Sequence, residues 1–308
     1  MLTFFGLPNF QRDRLPPLCV SIGVFDGLHL GHREVVSAGI RDARDSGIPC
    51  AALTFDRHPL ALLRPEQAPP MLCSLGERLR LLEGMGVDMG VVIPFERKFA
   101  SQSPDEFLGS VLRESLNAQR VVVGHDFRFG RHRVGDAAWL SERIPTRIVP
   151  PVELDGERVS SSRIRTMIGA GDVEGAARLL GRRFSIEGFV VPGNRLGTTL
   201  GVPTANLSPI EGIALPSNGI YAGVATVEGE VFPAAVSVGD RPTVAGAGFA
   251  IEAHLVDYGG GSLYGKAMRL EFARRLRNEE RFDTTDAMVV QMRRDIEEVR
   301  HVLEDVHA

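Results

Sequence analysis

Cysteine is scarce. Cys19, Cys50 and Cys73 are the only three in 308 residues. An odd number, widely spaced and confined to the first quarter, excludes a disulfide framework and fits small buried hydrophobes in a reducing compartment. No apolar run approaches the roughly 18 residues that a membrane-spanning helix needs. The first residues lack the basic-then-apolar pattern of a secretion signal. The net charge is −4, so the basic footprint of a nucleic-acid-binding surface is missing. No GxxxxGKS/T loop occurs, which excludes a P-loop, and there is no internal repeat or low-complexity segment. These absences predict a cytoplasmic protein that meets neither membrane nor nucleic acid. They leave the oligomeric state open.

What is present is an ordinary globular composition, 44% apolar and 24% charged, in a chain long enough for two cores. The first half alternates strand and helix. "LCVSIGV" (18–24), "IPCAALTF" (48–55), "DMGVVIPF" (88–95) and "QRVVVG" (119–124) are apolar throughout. Strands of that kind are buried on both faces of a parallel sheet. Helices are expected from about His32 to Asp45 and over "ERLRLLEGMG", with another opening at Ser103-Pro104-Asp105-Glu106 as a capping box. From Phe184 the pattern changes to short alternating strands separated by glycine turns, which argues for an antiparallel β-barrel. Val289, Met292, Ile296, Val299 and Leu303 give a last helix, from near Thr285, one apolar stripe. The predicted fold class is therefore α/β plus β. A doubly wound Rossmann-like domain over 1–182 is followed by a barrel with a terminal helix over 183–308.

The octapeptide "FDGLHLGH" (25–32) places His29 and His32 where the first long strand meets a helix. Metal chemistry fits poorly. His32-Arg33-Glu34 and Pro49-Cys50 begin a zinc-deaminase pattern, but position 53 is Leu. Two imidazoles also fall short of the three ligands of a catalytic zinc. Phosphate chemistry fits better. A helix start offers free N–H groups and positive charge, Gly31 permits close approach, and two imidazoles can donate to phosphate oxygens. The plain alternative is that both histidines cap the helix. Two further segments lie at strand ends or helix starts. Gly124-His125-Asp126 is followed by Phe127 and Phe129 flanking Arg128, where the rings could pack on a planar ligand or in the core. Ser160, Ser161 and Ser162 cap a helix carrying Arg163 and Arg165 in its first turn, where cations are unfavourable unless an anion is bound.

The barrel half has its own cluster. Gly193, Gly197 and Gly201 suggest a loop that lets backbone approach a ligand, and Pro203 stiffens the entry to Thr204-Ala205-Asn206. Thr204 and Asn206 lie two apart in an extended segment, so they share a face and offer hard oxygen donors suited to Mg²⁺. Glu252 shares its strand face with Ala250, His254 and Val256 and could take a proton from a hydroxyl. A turn and a solvated glutamate are the plain alternatives.

"GVFDGLHLGH" resembles the HxGH signature of nucleotidylyltransferases, whose histidines stabilise an α-phosphate while pyrophosphate departs. "TFDRHP" (54–59), "VVVGHDFRFG" (121–130), "VSSSRIR" (159–165) and "GNRLGTTLGVPTANL" (193–207) come in the order found in bacterial bifunctional FAD synthetases. So do "SVGDRPT", "IEAHLVDY", "LYGK" and "LRNEERF". The resemblance covers nearly the whole chain. It implies riboflavin kinase activity in the barrel and FMN adenylyltransferase activity in the first domain. ATP, riboflavin, FMN and FAD would be substrates or products, with Mg²⁺ as cofactor. It implies catalytic roles for His29, His32 and Glu252. For the adenylyltransferase it implies ATP contacts at Gly23, Phe25, Asp26, Gly31, Asp126, Ser160, Ser161, Ser162 and Arg165, and FMN contacts at His58, Phe127 and Arg128. For the kinase it implies ATP or flavin contacts at Gly193, Gly197, Gly201, Pro203 and Arg277, with Thr204 and Asn206 at Mg-ATP. Val24, Thr198, Val202 and Ser237 depart from the family pattern. The last three fall in the kinase half, and Thr198 motivates one rival, a monofunctional FMN adenylyltransferase with an inactive barrel; a rival from another class is a non-catalytic flavin or nucleotide sensor.

Overall fold

The computed structural model describes residues 1–7, 15–193, 201–243 and 246–304, with backbone alone at 240–243 and 246–249. The chain divides into two compact units, Met1–Ser161 and Ser162–Ala308.

The first unit is built on a six-stranded parallel sheet. Its strands are β1 (Leu2–Phe5), β2 (Leu18–Ile22), β3 (Cys50–Phe55), β4 (Met89–Ile93), β5 (Ala118–Gly124) and β6 (Thr146–Val149), in the spatial order β1-β4-β3-β2-β5-β6. Every residue of β2 and β4 is buried, as runs without polar alternation require. Helix α1 (Leu30–Ser46) follows β2 and is stopped by Gly47, whose φ of 64° is left-handed. Helix α2 (Leu75–Gly84) follows β3 and is capped by the Ser74 hydroxyl. Cys19 and Cys50 are buried, which pushes their thiols up to about 11 and about 12. They are packing residues with no thiolate chemistry near neutral pH.

The Ser103 capping box forms, with Ser103 and Glu106 bonding each other's backbone N–H. The helix it opens differs from the expected α-helix. It becomes a π-helix over Phe107–Ser115, ending with the Leu116 N–H bonded to the Val111 carbonyl five residues back. Phe107, Leu108, Val111 and Leu112 still point inward. The wider turn leaves the apolar face intact because those four positions cluster on one side under either geometry.

The second unit begins with α3 (Ser161–Ala170) and α4 (Val173–Leu180). The strands β7 (Phe184–Val191), β8 (Ala205–Pro209), β9 (Gly219–Val227), β10 (Glu230–Thr243), β11 (Gly246–Leu255) and β12 (Ala267–Arg277) close into a barrel in the order β7-β8-β11-β10-β9-β12. Composition places the division near residue 182, but contacts place it after Ser161. The Arg274 guanidinium pairs with Glu174, the Ser217 N–H bonds to the Ile168 carbonyl, and Arg275 reaches the Ala170 carbonyl. Both helices are thereby tied to barrel strands. The terminal helix α5 (Thr285–Glu304) packs on the barrel rather than on another helix, burying Val299, Val302 and Leu303 against Ala222, Val224 and Val256.

Leu112 is 0% exposed in the core that Trp139 also touches, and Trp139 is the chain's single tryptophan. Leu112→Ala should cost about 2–5 kcal/mol. The check is the urea midpoint of Trp139 fluorescence, and an unchanged midpoint would contradict this packing.

Candidate functional site

Strand β2 is bordered by β3 on one side and β5 on the other, all parallel. The chain therefore leaves β2 in one direction and returns on its other side. That is a topological switch point, where a crevice opens at the carboxyl ends of the strands. The turn after β2 carries the two histidines, and the turn after β5 carries His125 and Asp126. His29 is the N-cap of α1, its Nδ1 accepting the His32 N–H at 3.2 Å. An accepting Nδ1 leaves the proton of the neutral ring on Nε2. The Arg33 N–H goes to the His29 carbonyl. Among the described residues this leaves the first-turn N–H groups of Leu30 and Gly31 without protein acceptors, as anion docking needs. The two imidazoles stack at 3.7 Å, only 14° from parallel. Capping uses one nitrogen of His29, and so is compatible with phosphate binding through the other.

The neighbouring residues hold this turn from behind. Phe25 adopts φ 50° and is 1% exposed, with its ring edge-on to His32 at 5.6 Å. A Cβ on Gly23 would sit 2.7 Å from that ring. Asp26 is 2% exposed and accepts the Leu72 N–H at 2.8 Å. The next N–H, from Gly27, donates to Cys73 Sγ at 3.3 Å. Gly23, Phe25 and Asp26 therefore shape the loop, whereas Gly31 lies at its open helix start. Ser161 Oγ donates to the Asp26 carbonyl at 3.3 Å, which brings the serine segment to the same turn. Helix α3 starts at Ser161, so Ser162 lies in its first turn, Ser160 directly precedes it, and Arg165 falls one residue beyond that turn.

Asp126 pairs with Arg158 at 2.5 Å. Partial burial would raise its carboxyl, but the Arg158 hydrogen bond and charge, with His125, hold it below the usual carboxylate range. Arg158 carries no motif, and only the fold brings it to Asp126. Phe129 is a core residue between Phe107 and Trp139. Phe127 stacks on it at 5.3 Å and stays partly buried. Of the two rings, Phe127 alone is left to meet a ligand. Arg128 is exposed and paired with Asp136 at 2.8 Å. His58 caps the short helix Pro59–Leu63 through Nδ1, again leaving Nε2 as donor.

In the barrel, Asn206 on β8 and Ser237 on β10 are the register partners of Glu252 on β11. The three side chains therefore lie in a row on one face. Val236, Val238, Ile251 and Ala253 on the opposite face are all buried, so the row faces outward, toward α5. The Thr204 hydroxyl donates to Glu252 Oε2 at 3.0 Å, and His254 Nδ1 donates to the Pro203 carbonyl at 2.8 Å. A Cβ on Gly193 would overlap the Asn206 amide, so the backbone at Gly193 runs close against it. Gly201 takes the left-handed φ of 74° that glycine permits. Gly197 and Thr198 lie outside the described residues. A cavity of about 250 Å³ opens over Glu252 and Thr204, walled by Val202, Phe282, Met288 and Met292 among others. Val202 and Ser237, two of the departures from the family pattern, both line it.

Thr204 and Asn206 offer hard oxygen donors of the kind that suit Mg²⁺. Among the described residues no three His, Cys, Asp or Glu side chains gather as a metal site. A divalent ion there would thus share its coordination with phosphate and water oxygens. Arg277 also lines the cavity, but its guanidinium is engaged by Asp295 on α5 through Nε at 3.0 Å and Nη2 at 2.7 Å.

Comparison with known proteins agrees with this geometry. The FAD synthetase family model matches residues 11–163 and the riboflavin kinase family model matches 180–303. A protein of Pseudomonas fluorescens named bifunctional riboflavin kinase/FMN adenylyltransferase is 36% identical over 302 residues, covering 96% of each chain. Its namesake in Escherichia coli K12 is 34% identical over 296 residues, covering 94% of each. A crystal structure from Streptococcus pneumoniae, described as a macrolide-efflux protein, matches with a TM-score of 0.87 at 30% identity, covering 97% of this chain and 99% of that one. The likeness to the pneumococcal protein lies in the fold. Among the described residues of this chain, no helix is long and apolar enough to cross a membrane.

The His29 geometry separates two roles. His29→Ala should lose the cap and about 1 kcal/mol of stability. His29→Asn should keep the cap and that stability while losing the Nε2 donor. Thermal melts of both variants check this, and equal destabilisation would refute the capping role.

Proposed function

This chain belongs to the bifunctional riboflavin kinase/FMN adenylyltransferase family, and on that premise we propose how its residues carry both reactions. Residues 183–308 phosphorylate the 5′-hydroxyl of riboflavin with the γ-phosphoryl of ATP, giving FMN and ADP. Residues 1–182 then let the FMN phosphate attack the α-phosphate of a second ATP, giving FAD and pyrophosphate. The substrates are small molecules. The stacked imidazoles at a helix start with two unused N–H groups carry the reading of the first site.

In the adenylyltransferase, the N-terminus of α1 and Gly31 cradle phosphate oxygens. His29 Nε2 and His32 donate to the α-phosphate as charge builds on it. Ser160, Ser161, Ser162, Asp126 and Arg165 hold the ATP. Phe127, His58 and Arg128 hold the FMN, with Phe127 presenting its outer face to the flavin ring. In the kinase, Glu252 accepts the riboflavin hydroxyl proton, oriented by the Thr204 hydrogen bond. Gly193, Gly201 and Pro203 shape the phosphate-side loop. Thr204 and Asn206 would hold Mg²⁺, which neutralises phosphoryl charge when bound. The cavity's apolar wall, with Phe282, Met288 and Met292, takes the flavin ring beside Glu252.

Purified protein with riboflavin, ATP and Mg²⁺ should yield FMN and FAD. His32→Ala should abolish FAD formation from FMN and leave FMN formation intact, and Glu252→Ala should do the reverse. Each loss should be about 10²-fold or more. Product chromatography reads both reactions at once. FAD formed from FMN but never from riboflavin would instead support a kinase-inactive barrel, which the Thr198 departure motivates. Binding of flavin and ATP with no turnover would support a sensor.

A further inference from the structure

The sequence resemblance assigns Arg277 to ligand binding, yet its side chain is only 17% exposed and its partner Asp295 only 5%. The pair is bidentate. Gln291 Nε2, one turn earlier on α5, donates to the same Asp295 Oδ1 at 2.9 Å, and Arg277 Nη1 donates to the Asn278 carbonyl at 3.0 Å. Three of the five guanidinium N–H groups are thus spent on protein acceptors. Arg277 is the last residue of β12 and Asp295 lies midway along α5, so the ion pair spans the segment that carries Glu279, Glu280 and Phe282 into the cavity wall. The far end of α5 is anchored separately by Val299, Val302 and Leu303. Near the cavity, the side chains flanking Asp295 are Met288, Met292 and Ile296, which line it. A buried, hydrogen-bonded ion pair is geometrically demanding and costly to break on one side. Here it sets where that stretch of α5 stands relative to the barrel face bearing Glu252.

We propose that Arg277 and Asp295 act as one positioning unit for the flavin cavity, holding the Met288–Met292–Ile296 wall of α5 against the barrel, and that Arg277 serves riboflavin binding through α5 rather than as a ligand of nucleotide phosphate. This rests on the reading that the cavity binds the flavin. Loss of either partner loosens the apolar wall and weakens riboflavin binding equally in ground and transition states. It leaves Glu252 and the phosphate loop as they were. The barrel stays folded because the hydrophobic anchor of α5 is untouched.

The test uses full-length Asp295→Asn, Arg277→Met and the double variant Arg277→Met/Asp295→Met. Steady-state kinase assays vary riboflavin and ATP separately, and FMN adenylylation is measured alongside. Each single variant should raise the riboflavin KM about tenfold with kcat and the ATP KM within about twofold, the pattern of lost uniform binding. The double variant should be no worse than the worse single one, because both remove one interaction. FMN adenylylation should be unchanged. An unchanged riboflavin KM, or additive losses in the double variant, would overturn the proposal. So would a raised ATP KM in Arg277→Met alone, which would mark Arg277 as a nucleotide ligand. If a single variant loses its folded barrel by circular dichroism, the double variant decides, since apolar replacement of a buried pair preserves folding. Wild-type protein that makes no FMN from riboflavin would defeat the kinase reading itself, before any variant is compared.

Discussion

The turn after β2 depends on buried polar groups that have nowhere else to go. The Asp26 carboxylate, 2% exposed, accepts the Leu72 N–H, and the Thr54 hydroxyl, 0% exposed, donates to the Val24 carbonyl. Arg78, 1% exposed, donates in turn to that hydroxyl and to the Phe55 carbonyl. Each of these groups would cost several kcal/mol if buried without a partner. Together they leave the backbone one path out of β2. That path places Phe25 in the left-handed region, tucks its ring over Gly23, and delivers His29 to the first turn of α1. The geometry of the two histidines is thus set by a layer of buried polar groups beneath them.

The barrel solves the same problem through register. Asn206, Glu252 and Ser237 come into line because three antiparallel strands pair at those positions. A one-residue slip would turn Glu252 into the barrel interior and bring Ile251 or Ala253 out. The buried face, with Val236, Val238, Ile251 and Ala253, forbids that slip. The hydrophobic core of the barrel is therefore what holds a carboxylate on its outside.

The parts legible in the sequence are those whose signal is local. The strands flanking the switch point announce themselves as uninterrupted apolar runs, and the Ser103 capping box by its spacing. Edge strands are less visible. β1 exposes Leu2 at 66% and Phe5 at 63%, and β6 exposes Ile148 at 41%, so neither carries a clean burial pattern. The π-helix was hidden because its inward positions satisfy an α-helical stripe equally well. At the sites, the histidines, Glu252 and Thr204 could be named from motifs, since their neighbours in sequence are also their neighbours in space. Arg158 beside Asp126, Leu72 beside Asp26 and Asp295 beside Arg277 could not. Those pairs are tertiary, and a single chain without aligned relatives offers no signal for them.

The contrast between the two sites comes from the needs of each nucleophile. An FMN phosphate is already an anion, so a site for its attack on an α-phosphate needs no base and gains most from donors aimed at developing charge. The proposed first site fits that need, with backbone N–H groups and imidazoles, and Asp126 on the neighbouring turn is occupied by Arg158. A primary hydroxyl carries its proton until it attacks, so a site for phosphorylating it needs an acceptor within hydrogen-bond reach. On the proposed reading Glu252 is that acceptor, with the Thr204 hydrogen bond to fix it. An apolar cavity beside that carboxylate can bring a flat ring system close while leaving the phosphate side to the glycine loop. On that reading one chain carries a helix terminus for a nucleophile that is already charged and a barrel-face carboxylate for one that must be made so. The product of the second is the nucleophile of the first.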